Sequence, residues 1–227
     1  VGRRKYASYR CVEIMKDKIY IANWKLNITS KEAQSFFDKF ERLYKKEENK
    51  KIVLCPSFTT LVSSVSSQSL KNLDSIYFGA QNVSDKISGS FTGEVSAGML
   101  EEIGIEYCIV GHSERRTIYN ETDQMINDKI KLLANSGIIP ILCVGETLDS
   151  REKGESDQVV LKQLSLCLNQ VAVSKIIIAY EPVWAIGTGK NANISDISNM
   201  NSTIKKQMNK LGYIDEQFYI LYGGSVD

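Results

Sequence analysis

The chain predicts an α/β fold assembled from parallel βαβ units, and three observations carry that prediction. Short apolar runs recur at regular intervals along the 227 residues. The segments between them are polar, with apolar residues at helical spacing. The alternation runs through the chain with no linker or shift of composition to divide it, which makes a parallel sheet covered by helices. Two architectures satisfy this pattern: an open doubly wound sheet and a closed (β/α)₈ barrel. Seven strands are visible, and the chain stops just past the seventh. Alternation alone therefore leans slightly towards the open sheet.

The first run is "KIYIAN" (18–23). It is followed by "SKEAQSFFDKFERLYKKEE", which puts Ala33, Phe36, Phe37, Phe40 and Leu43 on one stripe, with Ser30 as N-cap. The next runs are "KIVLCP" (51–56), "SIYFGA" (75–80) and "YCIVGH" (107–112). "ETDQMINDKIKLLANSG" then groups Met125, Ile126, Ile130 and Leu133 and ends at Gly137, a C-cap candidate. "IIPILCVG" (138–145) and "KIIIAY" (175–180) flank the helical "DQVVLKQLSLCLNQV". "SDISNMNSTIKKQMNKLG" reads as a helix before the last run, "FYILYGG" (218–224). Most runs are near-continuous rather than alternating, which suits strands buried on both faces.

Composition narrows the function. Hydrophobic residues make up 43% and charged residues 24%, as in ordinary globular domains. A formal net charge of +1 with scattered Lys and Arg leaves no footprint for nucleic acid or an anionic membrane. No apolar run approaches the ~18 residues of a membrane span. Cys11, Cys55, Cys108, Cys143 and Cys167 show no CxxC spacing and read as free thiols of a reducing compartment. With His112 the single histidine, no metal site is expected. Residues 1–15, basic and without an apolar core, read as an N-terminal extension: a tag, a transit remnant or native sequence. Residues 16–227 read as one domain. Cytoplasmic location is expected, with a plastid-type organelle as the alternative that the basic extension raises.

Chemistry gathers where the strands end. Asn23 closes the first run and is followed by Trp24 and Lys25. The fourth run leads into "GHSERR", the sixth into Glu181, and the seventh into "GGS" (223–225). Parallel strands bring all these ends to one face. There a base, an acid–base partner, a cation and backbone donors for an anion would converge. Each also has an ordinary reading: Glu181 as a surface carboxylate, His112 as a satisfied core histidine, Lys25 as a solvated turn residue. Glu114, Arg115 and Arg116 read as a structural ion-pair cluster. Two glycine patterns point elsewhere and fail. "GTGKNA" (187–192) fits a loose dinucleotide fingerprint, but Pro182 to Ile186 separate it from its strand. As a P-loop it would need a glycine where Trp184 stands and a Ser or Thr where Asn191 stands.

These residues, in order, resemble the triosephosphate isomerase family. The resemblance rests on "ANWKLN" (22–27), "QNVSDKISGSFTGEVSAGML" (81–100), "IVGHSERR" (109–116), "CVGET" (143–147), "AYEPVWAIGTGK" (179–190) and "YGGSV" (222–226). It implies a (β/α)₈ barrel, which overrules the lean towards an open sheet. It also implies interconversion of dihydroxyacetone phosphate and glyceraldehyde 3-phosphate through an enediolate, with no cofactor.

The resemblance implies a role for each residue. Glu181 would remove the carbon-bound proton, strengthened by desolvation. His112 would act as a neutral imidazole, as it does in the family, aided by the helix start at "SERR". Asn23 and Lys25 would hold substrate oxygens and counter developing charge. Glu114 would serve in a proton relay or ion pair, with Ser113 and Cys143 as supporting neighbours. Backbone N–H groups at Gly187 and Ser225 would hold the phosphate, with Gly223 and Gly224 shaping that turn. Pro182, Val183, Trp184, Ala185, Ile186, Gly187, Thr188, Gly189 and Lys190 would form a closing lid. A homodimer is implied, with the loop bearing Thr92, Gly93 and Glu94 inserted into the partner.

The family pattern continues for roughly 25–30 residues past Asp227, since ~250 is typical of the barrel. Strand eight with its flanking helices is therefore expected to be lacking, with weakened phosphate binding and slow turnover. That keeps open a catalytically impaired fragment, or a binding or structural derivative. A nucleotide-dependent oxidoreductase rests only on "GTGKNA".

Overall fold

A computed structural model describes residues 17–67, 70, 73–185 and 192–224. The expected extension, residues 1–15, lies outside the described residues.

Seven strands follow one another: β1 (Lys18–Asn23), β2 (Lys50–Cys55), β3 (Ile76–Ala80), β4 (Tyr107–Val110), β5 (Ile139–Val144), β6 (Ile176–Tyr180) and β7 (Phe218–Tyr222). Every neighbouring pair is parallel, and spatial order equals chain order. A doubly wound sheet reverses its order part-way; this one never does. Side chains from all seven strands also meet in one interior. Val53, Cys55, Tyr107, Ile109, Ile141, Cys143, Ile177 and Ala179 form its buried centre, and Ile19, Ile21, Tyr77, Tyr219 and Leu221 pack onto it. First and last strands share a core only if the sheet curls round. The strands build a nearly closed barrel, as the family resemblance implies and against the slight lean that alternation alone gives. Among the described residues, β1 and β7 each have one paired neighbour.

Eight α-helices among the described residues cover the outside: α1 (Ser30–Leu43), α2 (Phe58–Val65), α3 (Ala97–Glu102), α4 (Ser113–Ile118), α5 (Asp123–Asn135), α6 (Leu148–Glu152), α7 (Ser156–Cys167) and α8 (Ile194–Lys210). The second core lies between them and the outer strand faces, with Leu100, Ile126, Ile130, Leu133, Leu164 and Ile204 fully buried.

Two local readings need correction. The N-cap of α1 is Thr29, not Ser30. Glu32, three residues on, closes a reciprocal capping box with Thr29, an arrangement worth about 1 kcal/mol. The α1 stripe is also narrower than expected. Ala33 and Phe37 are buried, but Leu43 is 78% exposed. The end of α5 matches its reading: Gly137 sits at φ +69°, just past the cap, and Ile138 N–H returns to Leu133 O.

Register aligns the strand ends. Asn23 faces Cys55, Val110 faces Leu142, and Val144, Tyr180 and Tyr222 form one row. Whatever follows these residues stands at one mouth of the barrel.

Candidate active site

A cavity of about 810 Å³ opens at that mouth and runs down between β1 and β7. Asn23, Lys25, His112, Cys143, Glu181, Gly223 and Gly224 all line it. The strand-end residues singled out in the sequence therefore do come together.

Lys25 sits in the left-handed region at φ 51°, unusual for a lysine. Asn23 holds it there: its Oδ1 accepts the Lys25 backbone N–H at 3.0 Å. Gln81 fixes the same turn from β3's end, donating to Lys25 O (3.0 Å) and Cys55 O (2.8 Å). The Lys25 ammonium reaches Glu114 Oε1 at 2.7 Å.

His112 is the N-cap of α4 and 7% exposed. Its Nδ1 accepts the Glu114 backbone N–H at 3.2 Å. The Glu114 carboxylate lies farther from Nδ1, at 3.6 Å. A nitrogen that accepts carries no proton, so the neutral ring keeps its hydrogen on Nε2. That atom faces Glu181 Oε1 at 3.3 Å. The turn before it requires glycine. Gly111 has φ +67°, and a Cβ there would stand 2.9 Å from both Arg116 Nη2 and Ile126 Cδ1. Arg116 staples this turn, donating to Gly111 O, Cys143 O and Asp123.

Glu181 follows β6 directly and is 5% exposed. Besides facing His112, it accepts the Ser113 N–H at its Oε2, 3.2 Å away. Its backbone donates to Val144 O at 2.8 Å. A side chain on Gly145 would occupy the Glu181 carbonyl, the Cβ lying 1.7 Å from its oxygen. The thiol of Cys143 is pushed well above its ordinary range by burial and by the neighbouring Glu181 carboxylate, so it stays neutral beside that acid. Gly223 stands against Glu181 Cγ, where a Cβ would approach to 3.0 Å.

After Pro182, the residues Val183, Trp184 and Ala185 form a single 3₁₀ turn at the same mouth, closed by Ala185 N–H to Pro182 O. Ile186, Gly187, Thr188, Gly189, Lys190 and Ser225 lie outside the described residues. Thr92, Gly93 and Glu94 lie on an exposed loop away from the cavity lining, closed by Ser84 N–H to Val95 O.

Over residues 18–227 the chain matches the family model described as triosephosphate isomerase. The chain belongs to the triosephosphate isomerase family. A triosephosphate isomerase of Dictyoglomus thermophilum is 44% identical over 218 residues, 94% of this chain and 86% of the relative. Those of Chlamydia felis (44%, covering 93% and 85%) and Aquifex aeolicus (43%, covering 92% and 85%) are similar.

Within the triosephosphate isomerase frame, Glu114, Arg115 and Arg116 each make an ion pair, as the sequence reading expects, with partners outside the "SERR" run. Glu114 turns to Lys25, Arg116 to Asp123, and Arg115 to the buried Glu121, which also binds Lys129. Consecutive residues at a helix start point in different directions, so adjacency in sequence is not contact.

Sequence reasoning also passed over two supporting residues. Gln81 anchors the Lys25 turn, and the fully buried Glu146 receives the Trp184 indole N–H at 2.8 Å and the Tyr180 hydroxyl. Both stand inside quoted motifs, "QNVSD" and "CVGET". Neither can be assigned a partner until the strand ends are brought together. Among the described residues, no three His, Cys, Asp or Glu side chains are placed to hold a metal ion, and no helix is long and apolar enough to cross a membrane.

Proposed function

We propose that this chain interconverts dihydroxyacetone phosphate and glyceraldehyde 3-phosphate by moving a proton between adjacent carbons. The observation that carries the reading is the His112–Glu181 pair. A buried carboxylate stands 3.3 Å from His112 Nε2, with an ammonium on the same cavity wall.

Glu181 takes the proton from the carbon beside the carbonyl and returns it to the neighbouring carbon. His112 Nε2–H polarises the carbonyl oxygen and passes a proton between the two oxygens. Lys25 balances the negative charge that builds on those oxygens. Asn23 acts at least partly through Lys25, whose left-handed backbone it holds.

Two experiments test this. A phosphoglycolate-type analogue of the intermediate should bind more tightly than substrate. Glu181→Asp draws the carboxylate back by one methylene and should lower kcat by ~100-fold. A parental rate in that variant removes Glu181 from the mechanism. The flank between β1 and β7, along which the cavity runs, favours a second reading, a barrel that binds without turning over. Analogue binding without isomerisation in a coupled assay would select it.

The reading extends to a homodimer. Ile87, Phe91 and Met99 are exposed on or beside the Thr92–Glu94 loop in sequence, apolar surface that a partner would cover. Sedimentation showing only monomer at micromolar concentration counts against it. Among the described residues, four buried free thiols suit a reducing compartment, consistent with the cytoplasm or a plastid-type organelle.

A further inference from the structure

Trp184 stands three residues past Glu181, in a 3₁₀ turn of three residues (Val183–Ala185). One backbone bond, Ala185 N–H to Pro182 O at 2.8 Å, closes that turn. So short a turn has little stability of its own. A second backbone bond, Val183 N–H to Glu146 O at 3.1 Å, anchors its start, and side chains hold the rest. The edge of the indole is tied to buried Glu146 by its N–H. Its face is covered by Arg151, which reaches over from α6 with the guanidinium carbon 4.2 Å from the ring centroid. The same guanidinium donates through Nη2 to Asp196 Oδ2, in the first turn of α8, at 2.5 Å. One planar cation therefore touches both ends of the chain between Trp184 and Asp196.

We propose that Arg151 is a positioning residue for the proton transfer. By stacking on Trp184 while paired to Asp196, it presses the run from Glu181 to Ala185 against Glu146 and so sets the aim of the Glu181 carboxylate. This rests on Glu181 being the base. The chemistry favours arginine at this point. A guanidinium can lie flat on an indole and still direct an in-plane N–H to a carboxylate, whereas a lysine ammonium is a point charge that does one or the other. The stack is half-sheltered, with the Arg151 side chain 34% and Asp196 28% exposed, where cation–π contacts outlast those in open water. Glu146, against which the indole edge is tied, is itself fully buried and also receives the Tyr180 hydroxyl. Because the clamp acts on aim, its loss should appear in kcat rather than in KM.

The test compares Arg151→Met, Arg151→Lys, Asp196→Asn and the Arg151→Met/Asp196→Asn pair in the full chain. Incorporated 5-fluorotryptophan supplies a ¹⁹F signal from each of the two tryptophans. Arg151→Met should lower kcat about tenfold with KM within about twofold. Arg151→Lys should recover less than half of the loss. Asp196→Asn should cost about threefold, and the double variant should be no worse than Arg151→Met, since Asp196 acts through it. The Trp184 resonance should shift while that of Trp24 stays. An Arg151→Met enzyme within twofold of the parent overturns the proposal, as do losses that multiply in the double variant. If Arg151→Met does not fold, the half-exposed Asp196→Asn decides by the same kcat criterion. A parent without activity would sink the isomerase reading instead. The ¹⁹F arm still judges the clamp then, and an unmoved Trp184 signal in Arg151→Lys refutes it.

Discussion

At the N-terminal end of the strands, Tyr77 and Tyr107 meet edge to face at 5.6 Å, and Tyr219 packs on the same cluster. Lys51 pairs with Asp17 at the rim. At the other end the same barrel buries Glu181, His112 and Glu146. The first end closes the core with aromatic rings and leaves most charge to water. The second pulls carboxylates out of water and satisfies them with N–H and O–H donors rather than direct cations. Buried charge without an opposite partner is costly. A fold tolerates that cost where chemistry needs a poised base. The contrast teaches that the two ends should fail differently: one in rate, the other in stability.

The sharpest way to break this contrast is at the catalytic mouth. His112→Gln keeps a polar side chain but cannot relay a proton, and kcat should fall by ~10³-fold. Thermal unfolding should move little. A variant that instead loses stability and keeps its rate per folded molecule would reverse the assignment. Next comes the aromatic end. Tyr107→Ala should cost about 3 kcal/mol in a denaturant titration, the loss of a ring 5% exposed, with kcat of the folded fraction unchanged. A kcat loss there would show that the two ends are coupled through the barrel.

The smallest effect sharpens the comparison through pH. Partial desolvation beside the tyrosines pushes the Glu106 carboxyl above its ordinary value, although Lys51 opposes this. The folded state then holds that proton more tightly than the unfolded chain. The resulting stabilisation is complete below the ordinary glutamate range and is lost as pH rises through the folded value. Glu106→Gln should therefore raise the melting temperature slightly at pH 7, by no more than ~2 °C, and the gain should vanish below about pH 4. A gain that grows on acidification would have the wrong sign.

Much of the site was legible because its residues are punctuated by strand ends. Glu181, His112, Asn23 and Lys25 each follow or close an apolar run, and parallel topology sends all such positions to one mouth. Partners at long range were not legible. Nothing in "GHSERR" says that Glu114 turns to Lys25 and Arg115 to Glu121, 89 and 6 positions away. The same holds for Gln81, whose amide spans two strand ends, and for Arg151, which reads as one more exposed charge until α6 and α8 are side by side.

The alternation of apolar runs and helical stripes determined the fold class, because burial on both faces demands near-continuous strands. Motif order determined the family. Alternation alone left barrel against open sheet undecided; the motifs implied the barrel only through the family, and three dimensions show it directly. The local pattern of a βαβ unit is the same in both, and only the meeting of β1 and β7 side chains in one core distinguishes them. Tertiary structure alone also decided which way the His112 ring faces and which of its nitrogens accepts. His112 keeps its hydrogen on Nε2 because a backbone N–H two residues on occupies Nδ1, a fact of helix geometry that composition and spacing do not encode.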